Sequence, residues 1–231
     1  MKDKMTVEIW SDIVCPFCYI GKRKFELALE KFFNKEKVQV EWKSFQLQPE
    51  MDFHYDKSVY QLIAEKYNIT MEKSKEMHDQ LAISAKEVEL DYRFDLAKPG
   101  NTLYAHQLLH LAKSYGKQHE AEEALFHAYF TEGKSISNQE TLVEIGVAIG
   151  LEAQAIYRVF ESELFVNEIQ NDIYESRQVG VRGVPFFVFD QKYTVSGAQE
   201  PTVFLTTLER AFAEWIGVKG NSMNALENGD Y

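Results

Sequence analysis

Cys15 and Cys18 are the two cysteines of this chain, and they bracket Pro16 and Phe17 in a C-P-F-C tetrad. The tetrad sits where an apolar run, Met5 to Trp10, gives way to a stretch of helical periodicity. Two thiols that can close a ring and reopen it need no third cysteine for reversible dithiol–disulfide chemistry. From Tyr19 onward Ile20, Phe25, Leu27, Ala28, Leu29 and Phe32 recur at roughly helical spacing, with Lys22, Arg23, Lys24, Glu26, Glu30 and Lys31 between them. A helix therefore starts inside the tetrad. Pro16 suits its first turn, because its locked backbone angle fits a helix and its missing N–H would have had no intrahelical partner. Residues three apart on a helix are about 5–6 Å apart at Cβ, close to the separation a disulfide tolerates.

The free amides and partial positive charge of a helix start favour thiolate over thiol at Cys15. Cys18, one turn further in, is expected to be less exposed and less acidic. These positions make Cys15 the attacking nucleophile and Cys18 the resolving thiol, with a mixed disulfide between the two steps. The assignment requires sulfurs that are neither buried, far apart nor held by a metal. Trp10 and Asp12 flank the tetrad and are candidates for tuning it, with Pro16 and Phe17 as supporting residues inside it. Asp12 is either a proton carrier for Cys18 or an ordinary turn or cap residue. A zinc site competes for the cysteines, with His106 and His110, four apart on an expected helix, as the local donor pair; a loop of about ninety residues separates them from the tetrad, far beyond finger spacing. A purely structural disulfide also competes, but so small a loop constrains the unfolded chain little. The expected metal complement is none.

A second signal lies near the other end. Gly183-Val184-Pro185-Phe186-Phe187-Val188-Phe189, then Asp190-Gln191-Lys192, then Tyr193-Thr194-Val195-Ser196-Gly197 reads as a β-hairpin, with proline at the head of its first strand. The aromatic-rich first strand, the C-P-F-C helix start and the G-V-P-F-F-V strand together resemble the thioredoxin superfamily, in particular its DsbA family. Ser11-Asp12, C-P-F-C-Y-I-G from Cys15 to Gly21, F-Q-L-Q-P from Phe45 to Pro49, Asn101-Thr102 with Ala105-His106, and Ser196-Gly197-Ala198-Gln199 are similar to the FrnE-like cytoplasmic branch. That branch is related to 2-hydroxychromene-2-carboxylate isomerases and kappa-class glutathione transferases. The likeness spans about Val7 to Trp215.

The resemblance implies that Pro185 is a cis-proline facing the cysteines and that the main chain of Val184 pairs with an extended thiol or disulfide partner. It implies that His106 lines the cleft, whereas a hydrogen-bonded structural histidine is the competing reading. Relatives often have Asp-Gly at the hairpin turn; Asp190-Gln191 predicts a looser turn. The isomerase and transferase relatives usually lack the first cysteine, so Cys15 with Cys18 argues for redox chemistry. The expected partners are protein or small-molecule thiols and disulfides, with no cofactor beyond the redox-active pair and glutathione as a candidate co-substrate. A glutathione-dependent isomerase or transferase is the alternative, and a non-catalytic protein-binding module the second alternative.

The 231 residues, 45% of them hydrophobic, suffice for a substantial core. A formal net charge of -11 disfavours nucleic acid and anionic membrane surfaces as partners. Acidic and basic residues alternate along the helical patterns, which reads as solvated faces. Met1 to Thr6 lacks the apolar core of a signal peptide, and no stretch reaches membrane-spanning length, giving a cytoplasmic expectation.

Between the second expected strand, Val38 to Phe45, and the hairpin, helical patterns cover Lys57 to Tyr67, Thr70 to Val88, Thr102 to Tyr115, Gln118 to Phe130, Asn138 to Ile149, Leu151 to Phe160 and Leu164 to Val179. A last helix runs from Pro201 to about Trp215. The expected class is α/β: a thioredoxin-like fold with a large all-helical insertion between a βαβ half and a C-terminal ββα half. The divisions fall at 1–48, 49–180 and 181–217, with a flexible tail at 218–231. The insertion would cap the cysteine face, and Phe53, Tyr55, Tyr92 and Phe94 are candidates for partner selection, with plain core as the competing reading.

Overall fold

A computed structural model describes residues 3–53 and 56–227, with side chains through Gly217. Its centre is β1 (Met5–Ser11), buried along both faces as befits an apolar run in the middle of a sheet. Helix α1 (Pro16–Lys31) and a single 3₁₀ turn carry the chain over to β2 (Val38–Ser44), which pairs parallel with β1 from Met5 opposite Val38 to Ser11 opposite Ser44. The hairpin β3 (Phe186–Phe189) and β4 (Tyr193–Ser196) completes the sheet on the other side in the order β2-β1-β3-β4, with β3 antiparallel to β1. Helix α9 (Pro201–Glu227) packs on α1, β3 and β4.

Seven helices among the described residues lie between β2 and β3: α2 (Val59–Tyr67), α3 (Met71–Lys86), α4 (Leu103–Ser114), α5 (Gln118–Phe130), α6 (Gln139–Ala148), α7 (Ala153–Glu161) and α8 (Val166–Val179). Their starts follow from local chemistry. Thr70 and Asn138 accept hydrogen bonds from the backbone of Lys73 and Thr141, as N-caps do, and Ser58 forms a reciprocal pair with Gln61. Gly180 closes α8 in the left-handed conformation that glycine adopts without strain.

Two large apolar cores result beside a small cluster of Trp10, Phe186 and Val188, and α1 belongs to both large ones. Phe25 and Ala28, in its second half, pack with Ile9, Phe187, Phe204 and Leu208 between sheet and α9. Cys18, Tyr19 and Ile20, in its first half, join the core of the helical insertion with Leu108, Phe126 and Phe130. The tetrad therefore stands at the seam between sheet and insertion.

Three expectations are corrected. The Asp190-Gln191 turn is tight: both residues take positive φ, 49° and 57°, and the Lys192 N–H bonds the Phe189 carbonyl at 3.0 Å. The twist of the flanking strands requires this mirror-type geometry, and aspartate tolerates the left-handed region well enough to replace glycine. Second, the charged residues of the helices are not all solvated. Lys22 is 1% exposed, because α5 covers it and supplies Glu123, which pairs with it alongside Glu26. Third, α9 continues past Trp215 to Glu227. Residues 228–231 of the expected tail, and Tyr55, lie outside the described residues.

Candidate active site

Leaving β1, the chain turns through Asp12 and Ile13, and the Cys15 N–H bonds the Asp12 carbonyl at 3.0 Å. Cys15 is the N-cap of α1 with an extended backbone, Pro16 occupies the first turn, and the Cys18 N–H bonds the Cys15 carbonyl at 3.0 Å. No side chain caps this helix and its first turn carries no acidic residue, so the positive end of the dipole is not neutralised locally. The Cys15 side chain is what stands beside it. Tyr92 fixes the same turn from the insertion by donating its hydroxyl to the Pro16 carbonyl at 2.7 Å while stacking on Phe130. Burial, then the charges of Cys15 and Cys18, push the Tyr92 hydroxyl well above its ordinary range.

Both thiols are free and both are buried, Cys15 at 4% and Cys18 at 0% exposure. The expectation of unburied sulfurs is thus overturned: the helical insertion closes over the helix start, and a role for Cys15 now rests on the cleft that it lines rather than on exposure of the sulfur. Cys15 is reached through a cleft of about 330 Å³ walled by Val14, Leu47, Leu62, Leu81, Phe94 and Phe130, with Phe17 half exposed beside it. A larger open depression of about 530 Å³, lined by Lys22, Arg23, Glu26 and Glu123, contains no cysteine, and those four groups pair with one another.

Across from the tetrad lies the head of β3. The Cys15 thiol donates to the Val184 carbonyl at 3.5 Å, and the Val184–Pro185 peptide bond is cis. Gly21 makes this approach feasible: a Cβ there would stand 2.8 Å from Pro185 Cγ. The glycine of C-P-F-C-Y-I-G is therefore a packing requirement.

Burial first, and then the hydrogen bond and charge of Cys15, push the Cys18 thiol well above its ordinary value. The Asp12 backbone and the Ser11 hydroxyl act in the opposite direction, favouring the thiolate. The Asp12 carboxylate is wholly buried, with Oδ2 accepting the Leu47 N–H at 2.7 Å and Oδ1 3.4 Å from His106 Nε2. Nε2 of His106 lies 3.0 Å from the Phe45 carbonyl, which can only accept, so the proton is on Nε2. His106 Nδ1 and Asp12 Oδ1 are left without hydrogen bonds.

Of the other candidates, Trp10 packs with Phe186 and Val188 in a cluster apart from the cysteines and donates its indole N–H to the Asp172 carbonyl at 2.8 Å. His110 contacts Ser44 and Asp172 at 3.1 and 3.3 Å, so the two histidines of the zinc reading serve different neighbourhoods. Among the described residues no group of three or more histidine, cysteine or acidic side chains is placed to hold a metal ion. Tyr92 and Phe94 are core, Phe53 is half-buried against Tyr104, and Phe94 also walls the cleft. Ser11 entered only through the Ser11-Asp12 likeness, with no role given to it, and Glu122 carried no sequence signal. Glu122, on α5, is 0% exposed, and its Oε1 accepts the Ser11 hydroxyl at 2.9 Å.

Comparison with known proteins gives the same outline. The family described as DSBA-like thioredoxin domain matches residues 6–209. The chain is 38% identical to a probable DsbA oxidoreductase from Streptomyces coelicolor whose crystal structure is known, over 91% of each chain, with a TM-score of 0.87. It is 26% identical over 203 residues to the uncharacterized protein YwbO of Bacillus subtilis (strain 168), covering 86% of this chain and 92% of that one. The 2-hydroxychromene-2-carboxylate isomerase structure, 12% identical, covers 94% of this chain and 98% of its own with a TM-score of 0.65, a likeness of fold alone.

Proposed function

The chain belongs to the DSBA-like thioredoxin domain family, and on that premise we propose that it exchanges disulfides with thiol partners through Cys15 and Cys18. The observation that carries this reading is the place of the Cys15 sulfur: at an uncapped helix start, against the Val184 carbonyl, with Cys18 one turn behind. In the reducing direction the Cys15 thiolate attacks a partner disulfide, forming a mixed disulfide and releasing one partner sulfur as thiolate. Cys18 then loses its proton and attacks Cys15 Sγ; the Cys15–Cys18 bond forms and the second partner sulfur leaves. The opposite sequence delivers a disulfide to a dithiol. An extended partner segment would replace the Cys15 contact at Val184 with its own main-chain bonds, beside Pro185.

The lining of the cleft favours apolar protein segments over glutathione as the partner. Lys66 is the one lysine or arginine among its described lining residues, a poor match for a tripeptide with two carboxylates. The isomerase and transferase alternative has only the shared fold behind it. No helix among the described residues is long and apolar enough to cross a membrane. The cytoplasm is the proposed site of action, and there such a pair cycles rather than staying oxidised.

The test is a pair of variants. Cys15→Ser is expected to reduce insulin-disulfide reduction and dithiol oxidation to background with unchanged circular dichroism, and Cys18→Ala to accumulate a mixed disulfide detectable by mass. Full activity of Cys15→Ser would sink the assignment.

A further inference from the structure

Tyr92 reaches the tetrad from the helical insertion. It lies in the segment between α3 and α4, and the main chain on either side of it is tied to the end of α5: the Arg93 N–H bonds the Phe130 carbonyl at 2.7 Å, and the Thr131 hydroxyl bonds the Asp91 carbonyl at 2.9 Å. Its buried ring stacks on Phe130 with centroids 4.4 Å apart and meets Phe94 edge-on at 5.3 Å. Stacking needs no hydroxyl, yet the hydroxyl donates to the Pro16 carbonyl at 2.7 Å. Burial holds the proton on that oxygen, so the group remains a donor at every working pH.

The bond acts on an amide with two ends. The Pro16 carbonyl and the Phe17 N–H belong to one conjugated peptide unit, and a donor on its oxygen makes the N–H at the other end a stronger donor. The Phe17 N–H stands in the first turn, where it lacks an intrahelical partner, and it finds no other among the described residues. Cys15 is the N-cap, and an N-cap side chain is placed to accept from the amide two or three residues on. The amide three residues on, at Cys18, is already given to the Cys15 carbonyl at 3.0 Å. The Cys15 thiol gives its proton to the Val184 carbonyl. A thiolate has no proton for a carbonyl, and the Phe17 N–H is the donor left to it.

We propose that Tyr92 is a positioning residue that sets the redox balance of the tetrad, stabilising the reduced form by polarising the Pro16–Phe17 amide toward the Cys15 thiolate. The proposal rests on the disulfide-exchange reading and adds a group outside C-P-F-C that governs how readily the pair gives up its electrons. The charge it stabilises exists only in the reduced form, because neither sulfur of a Cys15–Cys18 disulfide is ionised. Loss of the hydroxyl therefore favours the disulfide.

Equilibration with mixtures of reduced and oxidised glutathione reads that balance, since reduced protein and glutathione disulfide give the protein disulfide and two glutathione thiols. Tyr92→Phe keeps the ring and removes the hydroxyl alone. It is expected to raise the equilibrium constant of that reaction by about 3-fold or more, the order of one hydrogen bond. Urea denaturation of the two forms gives a second readout: the variant should lose more stability when reduced than when oxidised. A hydroxyl that only holds the fold together would lower both stabilities equally and leave the constant at its wild-type value. That result, or a shift the other way, would overturn the proposal while leaving exchange intact. A wild-type protein that forms no Cys15–Cys18 disulfide in any glutathione mixture would overturn exchange and the proposal alike.

Discussion

Two buried polar clusters sit one turn apart on α4, and they are built from similar parts to opposite effect. Around His110 the pieces are closed. Asp172 Oδ2 accepts the Ser44 N–H at 2.9 Å and lies 3.3 Å from His110 Nε2, Oδ1 lies 3.1 Å from Lys43 Nζ, and the main-chain carbonyl takes the Trp10 indole. Burial pushes this carboxyl up, but the His110 bond, the Ser44 amide and Lys43 outweigh it and hold the group below its ordinary range. Around His106 the pieces are open: Asp12 Oδ1, His106 Nδ1 and Glu122 Oε2 lack hydrogen bonds, and Glu122 is pushed up instead. A buried network with every member satisfied fastens elements together; one with orphaned atoms costs stability. The first cluster pins α8 to the sheet, and the second lies under the cysteines.

The contrast breaks most visibly at Asp172. Replacing it with alanine leaves the Ser44 amide without its acceptor and takes a partner from Lys43, which keeps Glu175, and from His110, which keeps the Ser44 hydroxyl; it is expected to remove about 3–5 kcal/mol from stability in urea denaturation. Thiol exchange per folded molecule should stay at wild-type rate; a loss confined to exchange would erase the distinction between the clusters. Glu122→Gln should shift stability the other way. The folded carboxyl, near 7, lies above the ordinary 4.5, so the folded state binds the proton more tightly than the unfolded chain. Wild-type stability therefore falls as pH rises from about 4.5 to about 7. That gap corresponds to roughly 3 kcal/mol at most. The glutamine variant should be the more stable protein at pH 8 and lose most of that advantage by pH 4.5; urea curves at the two pH values that differ equally from wild type would contradict it.

Asp172→Asn sharpens the picture on the acid side. A depressed carboxyl contributes stability that is present above the ordinary 3.8 and lost as pH falls through the folded value. The asparagine variant should be weaker at pH 7, with the difference shrinking in strong acid, as acid unfolding followed by circular dichroism would show. The smallest effect is expected at Gly21. A methyl there presses on Pro185, an overpacking cost of about 1–3 kcal/mol partly offset by the better helix propensity of alanine. The melting temperature of Gly21→Ala should drop by a few degrees, and unchanged melting would mean that the Pro185 ring moves freely.

The fold was largely legible because its elements announce themselves locally. Thr70 and Asn138 cap the helices expected to start at those positions, and two β-rich runs separated by a turn-prone aspartate mark the hairpin that joins β1. The tetrad was legible as well, since both cysteines share one helix start. The acids beneath it were not. The charged residues of the helices were all expected on solvated faces, yet of the α5 acids Glu123 sits part-exposed between Lys22 and Arg23 while Glu122 is buried. Which of these acids is buried depends on the surfaces of α1 and α4 packed against α5, and a local pattern does not hold that information. The burial of Cys15 escaped for the same reason, because the helices that cover it come from distant segments.

Cys15 touches Val184 across 169 positions of chain. A ribosome working at about 5–20 residues per second therefore needs roughly ten to thirty seconds between delivering the sulfurs and delivering the carbonyl that faces them. Early in that interval, before α4 and α5 have been made, the nascent polypeptide displays a bare dithiol open to any oxidant nearby. Discrimination among partners begins only once the Val184 carbonyl has been delivered.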